Sequence, residues 1–113
     1  MKIALVQMDV AHGKPVENKK HVKEMLERAL SEKPDVIVLP EMWNTGYALD
    51  ELDGLADKDG LDSQELLSHF ARKHAVAIIG GSVAIEKDGK FYNTTYVYNK
   101  SGDLINTYSK VHL

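Results

Sequence analysis

The chain has 113 residues, of which 43% are hydrophobic and 27% charged, with a net charge of -3. That is enough for one domain with a core and too little for two. The interspersed charges form no basic footprint for nucleic acid. With no cysteine there are no disulfides, no thiolate metal sites and no thiol catalysis within these residues.

Lys2–Met8 reads as the first strand, with Ile3, Ala4, Leu5 and Val6 almost continuously apolar, as in a strand covered on both faces. It is too short and too interrupted for a signal-peptide core, and no run reaches the ~20 apolar residues that span a bilayer. A cytoplasmic location is expected, with neither membrane nor nucleic acid as partner. After a loop, Pro15 suits a first helical turn. Val22, Met25, Leu26, Ala29 and Leu30 then recur at helical spacing up to Glu32, opposite a charged face. Pro34 stops that helix.

Val36–Leu39 reads as the second strand, and it runs through Pro40 into Glu41. Strand, helix and strand with short connections form a right-handed βαβ unit. In such a unit reacting groups gather at the carboxyl ends of the strands. Glu41 is therefore a candidate general base, with apolar walls expected to disfavour its charged form. The plain alternative is an exposed loop carboxylate. The connection from Glu41 to Gly60 is long enough to be functional. Its Asp53, Asp57 and Asp59 do not fit an EF-hand register, so the loop reads as acidic and exposed.

Asp62 or Ser63 is the expected cap of a second helix through His74, with Leu66, Leu67, Phe70 and Ala71 as its apolar face. His69 and His74 are not spaced to share a metal, and no metal or cofactor site is expected. Val76–Ala84 reads as a third strand. Its Gly80-Gly81-Ser82 lacks phosphate-loop spacing and suggests close backbone packing. Lys87-Asp88-Gly89-Lys90 then marks a hairpin. Strands Phe91–Asn99 and Leu104–Ser109 follow, joined by a second turn. The fold class is α/β, a βαβαβ start followed by an antiparallel meander. Asn93 fits a glycosylation sequon, which a cytoplasmic protein does not use, and reads instead as a buried amide satisfying backbone groups. Lys110 closes the last strand, where a cation could hold an oxyanion or simply be solvated.

Leu39-Pro40-Glu41, Gly80-Gly81-Ser82, Tyr92-Asn93-Thr94 and Tyr108-Ser109-Lys110-Val111-His112-Leu113, in that order and spacing, resemble the nitrilase superfamily of carbon–nitrogen hydrolases. Trp43-Asn44-Thr45-Gly46-Tyr47 is most similar to its omega-amidase branch. The resemblance implies a four-layer α-β-β-α sandwich, of which residues 1–113 are the N-terminal part, ending before the nucleophile. It implies hydrolysis of a small carboxamide such as 2-oxoglutaramate through a cysteine thioester. Glu41 would be the base, Lys110 the oxyanion holder, and Tyr47 and Asn93 substrate contacts. The full-length form would be a cofactor-free homodimer, and the chain alone inactive. Two other readings are a small α/β binding module and a family member that binds without catalysis. Against a receiver-like module, Asp9 stands alone after the first strand.

Overall fold

The computed structural model describes residues 1–48 and 52–112, apart from the side chain of His112. Residues 49–51 of the long connection and Leu113 of the lysine motif lie outside the described residues.

The chain runs β1 (Ile3–Leu5), α1 (Pro15–Ala29), β2 (Val36–Val38), a short helical turn α2 (Leu52–Leu55), β3 (Asp57–Lys58), α3 (Leu61–His74), β4 (Ala77–Ile79), β5 (Val83–Lys87), β6 (Lys90–Tyr98) and β7 (Leu104–His112). A single 3-10 turn, Leu30–Glu32, finishes α1. β1, β2 and β4 are parallel neighbours, as the βαβ pattern requires. β6 is the antiparallel hub. One edge takes β4 and then β5, and the other takes β7. β3 lies parallel to β5 at the rim.

Both long helices cover one face of this sheet. Val22 and Leu26 of α1 and Leu67, Phe70 and Ala71 of α3 share a core with Ile37, Ile78, Tyr96 and Tyr98. Lys19 of α1 also reaches Asp62 of α3, 2.6 Å away. The opposite face is open, with Ile3 55% and Leu5 71% exposed. The apolar run of β1 suits cover on both faces, and these residues supply it on one face only. Helices on one side and one sheet are two of the four layers implied by the resemblance.

Three sequence readings need correction. The strand read as Val76–Ala84 is two strands, because Gly81 takes φ +61° and swings the chain towards β2 between them. The connection to Gly60 contains α2 and β3, both too short to show a period. The cap of α3 is neither Asp62 nor Ser63. The Asp57 carboxylate accepts from the backbone N–H groups of Asp62 (3.3 Å) and Ser63 (2.7 Å), satisfying donors that a helix start leaves free. Asp57 is thus a structural carboxylate, not merely part of an acidic loop. The 87–90 hairpin forms as read, with Asp88 and Gly89 both at positive φ.

Candidate active site

Leu39 and Pro40 carry the chain off the end of β2 into a turn over residues 41–45. Trp43 anchors this turn from below. It is 1% exposed, and its indole Nε1 donates to the Gly80 carbonyl at 2.9 Å. Asn44 anchors it sideways. Its amide donates to the Ala84 carbonyl and accepts from the Ala84 N–H, at 2.9 and 2.8 Å, standing in for a neighbouring strand. Asn18, buried in α1, in turn donates to the Asn44 carbonyl at 2.9 Å. The turn is therefore rigid beneath Glu41, whose side chain projects outward.

Glu41 is exposed, whereas its sequence setting led to the expectation of apolar walls around it. Leu39 and Ile79 form an apolar floor, but no facing wall is present among the described residues. Asn93 of β6 donates from Nδ2 to Glu41 Oε1 at 3.1 Å. Asn93 is buried as expected, but its partner is this carboxylate, not backbone, because its strand position aims it at the end of β2. Its Oδ1 is buried without a partner. The Tyr47 phenol is held above its ordinary pKa, chiefly by its hydrogen bond to Glu41, then by burial, then by the Glu41 charge. Ionising the phenol would surrender that bond and set two anions together.

Lys110 lies directly across from Asn93 on β7, which continues to His112, so Lys110 is within the strand and does not close it. Tyr108 lies two residues before it, so both point to the same side of the sheet. Leu39, Glu41, Ile79, Asn93, Tyr108 and Lys110 border one open cleft of about 400 Å³. Glu41, Asn93, Lys110 and Tyr47 thus come together, although they derive from three distant segments. Gly80-Gly81-Ser82, besides being a resemblance motif, suggests close packing from its sequence. That packing is present, since a Cβ on Gly81 would meet the Pro40 carbonyl oxygen. The Ser82 hydroxyl also accepts from Met42 N at 2.9 Å, a contact that sequence reading missed. The cue was a hydroxyl directly after a glycine pair.

The carbon–nitrogen hydrolase family matches residues 2–113. The chain belongs to this family. It is 47% identical over 111 residues to 2-oxoglutaramate amidase of Bacillus subtilis (strain 168), covering 98% of this chain and 42% of that protein. It is 33% identical over 121 residues to an omega-amidase of Saccharomyces cerevisiae, covering 100% of this chain and 42% of that one. A solved Saccharomyces cerevisiae member of the nitrilase superfamily superposes with a TM-score of 0.85 at 30% identity, over 99% of this chain and 44% of that chain. The chain therefore spans less than half the length of these carbon–nitrogen hydrolase relatives. Its mixed α/β architecture is that of the superfamily. Among the described residues no helix is long and apolar enough to cross a membrane.

Proposed function

We propose that this chain carries the base and the oxyanion arm of a cytoplasmic, homodimeric amidase, whose cysteine lies on a further part of the same polypeptide. The substrate is a small ω-carboxamide of the 2-oxoglutaramate type, and the products are a carboxylate and ammonia. The observation that carries this reading is the meeting of Glu41, Asn93 and Lys110 at one cleft.

In this reading Glu41 takes the thiol proton, because the thiolate is the competent nucleophile. Sulfur bonds to the amide carbon, and the carbonyl electron pair moves to oxygen. The Lys110 ammonium holds that oxyanion. As the intermediate collapses, the C–N bond breaks and Glu41 returns its proton to nitrogen, releasing ammonia and leaving a thioester. Glu41 then takes a proton from water. The hydroxide adds to the thioester carbon, the C–S bond breaks, and the departing sulfur takes back the proton held by Glu41, which restores the thiol and the free base. The carboxylic acid product gives its proton to solvent and leaves as the carboxylate. Tyr47 and Asn93 contact the substrate at the mouth of the cleft. An exposed Glu41 accords with this scheme, since the thiol must approach from the open side.

The test is ammonia release from 2-oxoglutaramate by the full-length protein. Turnover should be lost in Glu41→Gln, which keeps the shape but not the basicity. A folded full-length protein with no turnover on 2-oxoglutaramate or other small carboxamides would favour binding without catalysis.

A further inference from the structure

We propose that Ser82 is a positioning residue for Glu41, fixing the backbone from which the carboxylate projects; this rests on the reading of Glu41 as the base. Ser82 N–H donates to the Pro40 carbonyl at 3.3 Å. Its Oγ accepts from the Met42 N–H at 2.9 Å. The Pro40 carbonyl belongs to the peptide plane before Glu41, and the Met42 N–H to the plane after it. One residue therefore pins both planes that flank the Glu41 α-carbon, and so constrains its φ and ψ. The Ser82 carbonyl adds a third tie, accepting from Trp43 N at 3.1 Å.

This restraint opposes a conformation that the turn would otherwise leave. Met42 has φ 51°, a left-handed value uncommon for a residue with an unbranched apolar side chain. Its side chain is fully buried against Leu52 and Ala84, so the strain cannot be relieved by turning it outward. The Oγ bond is the one side-chain link in the set, and Ser82 is itself buried at 5% exposure. Without Oγ, the buried Met42 N–H loses its acceptor and the 41–42 plane is free to rotate. Rotation there swings the exposed carboxylate away from Asn93. A misplacement of ~1 Å at a reacting group can cost on the order of a hundredfold in rate.

The test uses the full-length protein with 2-oxoglutaramate. Ser82→Ala should lower kcat by about ten- to a hundredfold with KM within about twofold, because positioning of the base is lost and substrate contacts are kept. Ser82→Thr, which retains the hydroxyl, should recover most of the rate. Should Ser82→Ala not fold, Ser82→Cys supplies a similar volume with a poorer acceptor, and the same loss of kcat at unchanged KM is expected. A kcat within twofold of the parent in either variant overturns the proposal. So does equal impairment of Ser82→Ala and Ser82→Thr, which would mean that the hydroxyl is irrelevant. Glu41→Gln is measured alongside. Full turnover there overturns the base reading and this inference together, whereas a dead Glu41→Gln beside an unimpaired Ser82→Ala overturns this inference alone.

Discussion

Asn93 Nδ2 donates to Glu41 Oε1 across 3.1 Å, although the two residues stand 52 positions apart. That bond joins the end of a parallel strand to the middle of the antiparallel meander. It also sets the carboxylate beside the strand that carries Lys110. The two halves of the sheet thus meet at the groups assigned to chemistry.

The first expectation concerns those groups. In the full-length protein, Lys110→Ala should lower kcat by on the order of a hundredfold or more, as deleting one oxyanion donor does. Glu41→Gln should abolish turnover without changing the unfolding midpoint. The 113-residue chain alone should release no ammonia, because neither Glu41 nor Lys110 replaces a thiol. Turnover by that chain above its own Glu41→Gln control would refute the thiol requirement.

Glu41 was legible in the sequence because an apolar run closed by proline locates a strand end without any tertiary information. The helix faces were legible through their period. Lys110 at a strand end could be read as an oxyanion holder and Asn93 as a buried amide, but their roles beside Glu41 came from the family resemblance, since nothing local to either residue reveals a partner so far along the chain. Asn44, Asp57 and Ser82 were missed for the same physical reason. Their partners are backbone groups of Ala84, of the start of α3 and of Met42, and backbone groups carry no sequence signature. The burial expected of Glu41 needed a wall facing Leu39 and Ile79, and these residues do not supply it.

Gly81→Ala should be severe. At φ +61° a left-handed alanine already costs ~1–2 kcal/mol. Its Cβ would also press on the Pro40 carbonyl oxygen and stand 2.6 Å from that of Leu39. Both are backbone atoms of the segment that delivers Glu41. Thermal unfolding and turnover of the full-length variant should therefore fall together. A variant with native stability and rate would show that the close approach of Gly81 to the end of β2 is dispensable.

Asn44→Ala tests the amide that stands in for a strand. It strips partners from two buried backbone groups of Ala84, which should cost on the order of 3 kcal/mol. Asn44→Asp restores the acceptor for the Ala84 N–H but turns a carboxylate oxygen towards the Ala84 carbonyl, and should be no better. Denaturant midpoints of the two variants decide the matter. A loss below half a kcal/mol for alanine would mean that water replaces the amide.

Alkaline pH should unfold the protein through Tyr96 and Tyr98. Burial pushes each phenol up to about 12, helped at Tyr96 by the charge of Asp57 and at Tyr98 by Tyr96. In the unfolded chain both titrate near 10. A pKa raised in the folded state gives stability that is complete below the unfolded value and is lost as pH climbs through the folded one. Stability should therefore fall between about pH 10 and 12. Ultraviolet phenolate titration should show Tyr96 and Tyr98 ionising together with loss of far-ultraviolet dichroism. Both variants Tyr96→Phe and Tyr98→Phe should flatten that fall, and an unchanged slope would reject the assignment.

The open face of the sheet leads to the last expectation. Ile3, Leu5, Ile79 and Tyr108 are 55%, 71%, 40% and 64% exposed, and they run across β1, β4 and β7 to the rim of the cleft. Apolar patches beyond a few hundred Å² are unusual on monomers and mark surfaces that are covered. In the proposed amidase the rest of the domain covers this one. Made alone, the 113-residue chain should bind hydrophobic dye and self-associate at low micromolar concentration. Leu5→Lys separates the two states because its effect changes sign. In the short chain it puts charge on an exposed face and should reduce association seen by sedimentation. In the full-length protein the same lysine would be buried without a partner, and stability should drop by several kcal/mol, roughly the cost of an unpaired buried charge. A short chain that sediments as a monomer, unfolds cooperatively and binds no dye would instead mark residues 1–113 as a self-sufficient module, and would move the function towards small-molecule binding.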